Sequence, residues 1–383
     1  MANTFKFGNG NWAVKEDYAL AYNDENGNFK PLPFDFTRAS SATRVNKDGL
    51  IENVPSGKPR IDFTDNTSGH LLLEPSRTNV ALYSEEFDNA AWVKLSQGDG
   101  SIPIVTTNYA ISPDGTMNAS RLQCNLNGGN TTNDRSWLYQ STTTISGDNS
   151  FSLYVKNNSN QEITFTLSNG ASTTVVILPD EKWHRLSTVR SGNGQPRIGL
   201  IGGVGASDTA DLLIWGAQLE EGSYATSIIK TENSSVTRIV EYANDAGNSQ
   251  VFDNDTGVWF IDLERMGLES GRAMMLANSS GSEQLRIHFD PSEVIRFRDG
   301  KASFATIGGN ISMGVGIRKK LALKIDGTTL KVFADGSQIG SNYTRPTAFD
   351  IHSMYAAEDA FKLFDVRFYN TALSDSELQA LTS

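Results

Sequence analysis

Acid pairs on one strand face are the first chemistry to look for in this chain. In Ile261-Asp262-Leu263-Glu264-Arg265, Asp262 and Glu264 stand at i and i+2, so a strand would aim both the same way. Glycoside hydrolysis uses such a pair, one carboxylate as nucleophile and one as acid. The E-x-D-x-(x)-E order of a sandwich glucanase lacks its third acid here, and a solvent-facing pair is the plainer expectation. Glu85-Glu86 and Glu220-Glu221 are adjacent, point to opposite faces in a strand, and read as surface charges. His70, His184, His288 and His352 each stand alone, far from any nucleophile-elbow pattern. Cys124, the single cysteine, reads as a small core residue and excludes an internal disulfide. No His/carboxylate spacing suits zinc, and Gly202-Gly203-Val204-Gly205 lacks the lysine of a phosphate loop, so it reads as a turn. Asp253-Asn254-Asp255-Thr256-Gly257 groups oxygen ligands as a structural calcium site does. Such Asx-Gly clusters also make turns by bonding their own backbone. Both readings stand, and no full ligand set can be counted. The expectation is no catalytic residues, no assigned metal, no cofactor and no enzyme.

Sugar recognition is a further chemistry to weigh. A β-sandwich binds sugars by laying an aromatic ring on the pyranose face and bonding the hydroxyls with flanking Asp, Asn or Arg. Trp92, Trp137, Tyr139, Trp183, Trp215 and Trp259 are the rings to weigh. Trp215 and Trp259 lie in apolar strands and belong to cores, and Trp183 follows a turn at the start of a strand. Trp137 follows the long polar loop Asn125–Ser136, with Asp134 and Arg135 beside it. Asp134, Arg135 and Trp137 are therefore the glycan-binding candidates, although Trp137 and Tyr139 share a face that period two would equally allow to be core.

The elements that would position these residues are strands. Phe151, Leu153 and Val155 alternate, as do Ile163, Phe165 and Leu167, and as do Leu321, Leu323 and Ile325 before Asp326-Gly327 and the resumption at Leu330 and Val332. Asp-Gly between alternating runs signals a hairpin whose two turn positions take positive φ. Helical spacing is confined to the end, where Leu373, Leu378 and Leu381 could line one face about an N-cap such as Ser374. The fold class expected is all-β: an extended N-terminal arm followed by two antiparallel β-sandwich, jelly-roll domains. Residues 1–70 look too poor in apolar side chains for a core of their own and read as the arm. Residues 71–231 form the first sandwich, 232–250 a polar linker, and 251–383 the second sandwich.

Charge and length bound the partners. The 383 residues carry 33 Lys+Arg against 44 Asp+Glu, a net charge of −11. That balance argues against nucleic acid, whose phosphates call for a basic face, and against anionic lipid. No apolar run approaches the ~18 residues of a membrane span. The opening residues carry no secretory signal pattern, so synthesis in a reducing cytoplasm is expected.

Several segments resemble a known group. Thr37–Thr43, Gly49–Ile51, Pro59–Asp62, Leu71–Asn79, Tyr83–Phe87 and Trp92 follow the order T-R-(A/S)-S-x-A-T, G-L-I, P-R-x-D, L-L-L-E-x-x-R-T-N, Y-S-x-x-F and Trp. That order is similar to the opening of phage virion proteins described as head spikes or tail fibres. Gly216–Thr226 resemble the G-A-Q-L-E-x-G-S-x-A-T close of a carbohydrate-binding-module jelly roll, although Ile228-Ile229-Lys230-Thr231 stand where that family often has Y-I-P-T. Asp365–Leu378 and the two Asp-Gly hairpins resemble concanavalin A-like, laminin-G-like sandwiches. The resemblance implies a virion-surface structural protein made in a bacterial host. It would attach to host-surface polysaccharide, contact other virion proteins through the N-terminal arm, and form a homo-oligomer, a trimer by preference. The alternatives are a capsid or tail decoration protein without glycan binding and, behind it, a polysaccharide hydrolase.

Overall fold

The computed structural model describes all residues except 1–3, 11, 13, 16–17, 24–27, 142–144, 146, 171, 250, 253–254, 301–303 and 358. Period-two alternation decides the architecture. Apolar residues at every second position give each strand one face that must leave water, and two such sheets satisfy each other face to face. The chain is all-β, with one helix among the described residues. It divides into two compact units, residues 77–238 with 50–52, and residues 1–49, 53–76 and 239–383.

The first unit is a sandwich of two five-stranded antiparallel sheets. One runs in the order Val93–Gln97, Arg135–Tyr139, Arg197–Ile201, Ile163–Ser168, Ser172–Ile177. The other runs Ile104–Ala110, Ala119–Asn125, Thr209–Glu221, Asp148–Asn157, His184–Ser191. Between them lie Leu122, Phe151, Leu153, Val155, Phe165, Leu167, Ile198, Leu200 and Ile214, all fully buried. Arg77–Asn79 and Val236–Arg238 pair as a short ribbon where the chain enters and leaves.

The second unit departs from the expected arm and linker. Thr4–Gly8 pairs along its whole length with Phe361–Tyr369, and His70–Leu73 pairs with the start of that same strand. Phe361–Tyr369 in turn pairs with Thr256–Arg265, and Thr256–Arg265 with Arg318–Asp326. The facing strands follow the order Asn28–Thr37, Tyr242–Ala246, Ser353–Ala357, Gly271–Ala277, Gln284–Asp290, Val294–Asp299, Ala305–Ser312. Residues 1–70 thus supply strands to the C-terminal sandwich rather than trailing from it. The reason is legible in Phe5/Phe7 and Phe34/Phe36, two period-two pairs whose rings enter the core beside Trp259, Ile261 and Phe368. The polar stretch expected as a linker is corrected likewise: Ala243 and Ala246 face that core from a strand.

Turn chemistry follows the backbone requirement more closely than the residue pair. At Asp335-Gly336 both residues take positive φ, the two-residue hairpin turn anticipated. At the other hairpin Asp326 is the last paired strand residue, opposite Thr329, and only Gly327 has positive φ. The helix Asp375–Thr382 is held by the Ser374/Glu377 capping box and lays Leu378 on Val258, Phe260 and Phe333.

One buried cluster locks the N-terminal strands of this unit. Arg38 donates to Glu241 Oε1 at 2.7 Å and to the carbonyls of Ser40, Val54, Pro55 and Lys58. Arg60 donates to both Glu241 oxygens and to Glu74 Oε2, and its Nη1 to the Thr43 carbonyl. All four charged side chains are fully buried. Burial pushes the Arg60 guanidinium down, and the attraction of Glu241 and Glu74, with their hydrogen bonds, more than reverses it. Removing one partner of such a set strands the others without solvent. Glu241→Gln is therefore expected to destabilise this unit by about 3–5 kcal/mol, read as an earlier urea unfolding midpoint by intrinsic fluorescence. A midpoint within error of wild type would show that the cluster holds nothing.

Candidate functional site

The strand Arg135–Tyr139 lies second in its sheet, and its alternation decides where the candidate ring points. Leu138 enters the core of the first sandwich, so Arg135, Trp137 and Tyr139 share the outer face. Trp137 is nevertheless only 5% exposed. Across the sheet it faces Leu95 on one side and Gly199 on the other, and Gly199 in turn faces Thr166. A Cβ at Gly199 would lie 2.3 Å from the Ser136 carbonyl oxygen and 2.5 Å from Trp137 Cα, so only glycine lets the strands meet there. Its bare backbone leaves no side chain between Trp137 and Thr166. Thr166 alternates with the core residues Phe165 and Leu167 and so points outward, yet it is 1% exposed.

Two guanidinium groups complete this face. Those of Arg135 and Arg197 each lie 5.0 Å from the centre of the Trp137 ring, within cation–π range. Arg135 donates to the Thr132 carbonyl at 2.9 Å and to Gln97 Oε1 at 3.2 Å, and Arg197 donates to Gln195 Oε1. Burial lowers the Arg197 pKa, and repulsion from Arg135 and Arg190 lowers it further. Trp137 Nε1, Thr166 Oγ1 and Arg197 Nε are buried without a hydrogen-bond partner. A buried polar atom without a partner is uncommon; the outer face of the other sheet carries three as well, Ser150 Oγ, Arg185 Nε and Trp215 Nε1.

Asp134 plays a different part from the one its position beside Trp137 suggests. Its carboxylate accepts from the Asp99 amide at 2.9 Å, the Thr131 amide at 2.9 Å and the Thr131 hydroxyl at 2.7 Å. It shapes the loop that delivers Arg135 to the strand. Of the three candidates, Arg135 and Trp137 stand together and Asp134 stands behind them. Arg197 and Thr166 were missed because only strand pairing brings them to Trp137. The alternation in Arg197-Ile198-Gly199-Leu200-Ile201 was the available signal.

The other candidates resolve into paired or buried groups. Asp262 is buried, contrary to the solvent-facing expectation, and accepts both arms of Arg318 at 2.7 Å, while Glu264 accepts from Lys362 at 2.8 Å. A third carboxylate, Asp365, stands directly opposite Asp262 on the next strand and pairs with Arg367. Glu220 is fully buried, which corrects its reading as a surface charge: it accepts from Thr226 and Gln218. Burial pushes the Cys124 thiol up to about 12, leaving it neutral, and lowers His70 to about 4 beside Asp62. Trp259 is core as expected. Trp215 is buried outside the sandwich core, under Lys230 and against Tyr154. Asp253 and Asn254 of the calcium candidate lie outside the described residues, and among those described no three His, Cys, Asp or Glu residues are grouped to hold a metal ion. A cleft of about 630 Å³ in the same unit is lined by Ile102, Gln123, Gln161, Glu162, Asp208 and Asp211. It offers no ring, and its Asp208 and Asp211 are already bonded to the Gly128 amide and to Arg121.

No protein-family model matches the chain, and no curated protein matches it. Among solved structures it is similar to domain 4 of an extracellular arabinanase of Geobacillus stearothermophilus, at 14% identity over 43% of this chain and 84% of that one, TM-score 0.32. It is similar to the CBM40 domain of a Ruminococcus gnavus sialidase, at 14% identity over 37% and 94%, TM-score 0.29. It is also similar to a Trypanosoma rangeli sialidase, at 12% identity over 95% of this chain and 65% of that enzyme, TM-score 0.30. Enzymes thus stand among the structures it resembles, and the expectation of no enzyme is withdrawn. At these TM-scores the likeness assigns neither an activity nor a ligand.

The Asp134 loop carries a pH dependence. The bonds from the Asp99 amide and the Thr131 hydroxyl hold its carboxyl below the usual aspartate range. A depressed folded-state pKa contributes stability above the unfolded value, and that contribution disappears as pH falls through the folded one. Asp134→Asn is expected to lower the thermal midpoint of the chain equally at pH 7 and pH 5. Below the ordinary aspartate value of 3.8 the gap from wild type closes. A gap unchanged by acid would remove this role.

Proposed function

We propose that this chain is a bacteriophage virion-surface protein, of the head-spike or tail-fibre kind, that binds a host-surface glycan through the outer face around Trp137. The ordered segments Thr37–Thr43, Pro59–Asp62, Leu71–Asn79 and Gly216–Thr226 support the virion part of the reading. One observation carries the glycan part: an indole outside the core, flanked by two guanidinium groups, whose own Nε1 has no partner. A ring with polar neighbours is what a pyranose needs, apolar on its face and hydroxylated at its edge. A single contact of this size is weak, so the reading includes several copies, a trimer by preference, acting together. It calls for no cofactor. Because residues 1–70 are built into a sandwich, contact with other virion proteins falls to folded surfaces rather than to an arm.

A second reading, decoration of head or tail without glycan binding, draws on Ile102, Ile104, Tyr109 and Ile111. These stand exposed along and beside the edge strand Ile104–Ala110, the kind of strip that another protein covers. The test combines gold-labelled antibody on intact virions with retention of the full chain on host cells. Trp137→Ala is expected to weaken retention about tenfold, and Trp137→Phe, which keeps a ring, to weaken it less. Label on the particle with retention unchanged in both variants would favour decoration, and no label would overturn the virion assignment.

A further inference from the structure

Resting on that reading of the Trp137 face, we infer that its ligand is an acidic saccharide whose carboxylate is held between Arg135 and Arg197. The chain carries a net charge of −11, and several of its outward arginines meet acids: Arg121 with Asp211, Arg296 with Asp290, Arg318 with Asp262, Arg367 with Asp365. Around Trp137 such pairing is missing. Arg135 and Arg197 bond only neutral oxygens, and Arg190, close enough to lower the Arg197 pKa, lies with its guanidinium against Gly170. None of the three pairs with an acid among the described residues.

Like charges gathered without a counter-charge repel one another, and the repulsion is relieved when an anion enters. A carboxylate suits the geometry because each guanidinium presents a planar fork of donors that matches two oxygens. A neutral sugar stacked on the indole would leave that charge uncompensated. The same sheet face supplies what a sugar bearing the carboxylate requires. Trp137 Nε1 donates, Thr166 Oγ1 donates or accepts, and both are more than nine-tenths buried without a partner. Gly199, the strand residue between them, adds no side chain of its own.

The test measures binding of the full chain by calorimetry to polygalacturonate, alginate, hyaluronate and polysialic acid, and to carboxyl-reduced polygalacturonate as the neutral counterpart. Inorganic phosphate and single-stranded DNA are included as anions without a sugar carboxylate. The expected result is binding to at least one acidic polymer, weakened by salt, and about tenfold weaker or absent after carboxyl reduction. Arg135→Gln and Arg197→Gln are each expected to weaken it about tenfold, with thermal midpoints near wild type; Arg197→Lys is expected to restore part of the loss. Equal binding to the reduced polymer, or acidic binding indifferent to both arginine changes, overturns the acidic ligand while leaving glycan binding intact. Preference for phosphate or DNA overturns it in favour of another anion. Binding to none of the acidic polymers overturns it as well, and retention on host cells then decides separately whether the glycan reading survives.

Discussion

Four charges shut away from water govern the C-terminal sandwich. Arg38, Arg60, Glu74 and Glu241 come from three separate stretches of chain and balance to zero in a space with no solvent. Each charge would be costly to bury alone, and the set is tolerable only when every member is present and fully bonded. That requirement makes the cluster all-or-none. The segment carrying Arg38, the hairpin carrying Arg60 and Glu74, and the strand preceded by Glu241 reach their places together. It also constrains register, since each of the four abuts a strand end and a slip of one residue there would carry its side chain out of the cluster.

The first sandwich solves the same problem with neutral groups. Asn79 donates to the carbonyls of Ala217 and Ile229 and accepts from the amides of Leu219 and Ala81, which closes the gap where the chain enters and leaves. Beside it, Glu220 accepts from Thr226 and Gln218, and Arg238 donates to the Thr226 hydroxyl. Arg38, Arg60, Glu74, Asn79, Gln218, Glu220 and Thr226 all fall in the segments that carry the resemblance to phage virion proteins. Those residues hold architecture. They bear on which fold the chain adopts and say little of what it binds, which must be argued from the outer face of a sheet.

The division between what could and could not be read from the sequence follows from the range of each interaction. Alternation at Phe151/Leu153/Val155 or Leu321/Leu323/Ile325 is local, and the strands lie where it puts them. The capping box at Ser374 and Glu377 is local too. The place of residues 1–70 was hidden because Phe5/Phe7 and Phe34/Phe36 are short pairs amid polar residues, and their strands pair with Phe361–Tyr369 and Tyr242–Ala246, far along the chain. At the candidate site Trp137 and Arg135 were legible from composition and period, since both lie on one strand after a polar loop. Arg197, Gly199 and Thr166 were not, because their nearness to Trp137 is a product of strand order. Asp134 was misjudged for a local reason: an aspartate three residues after Thr131 bonds its own loop before it can face a ligand.

Satisfaction of polar groups separates the two kinds of cluster in this molecule. Around Glu241 and around Asn79 the donors and acceptors converge on one another, and removing any one leaves a deficit in the folded chain. Around Trp137 the deficit exists already: two guanidinium groups lack acids, and an indole N–H and a hydroxyl lack partners. A stability-only account would have to explain why a chain rich in acids leaves both arginines bonded to neutral oxygens alone. The acidic ligand proposed above would supply the missing partners. On that proposal, the uncompensated charge of the unliganded sheet would be what gives an incoming anion its advantage, so that the cost in stability and the gain in recognition are one quantity seen in two states.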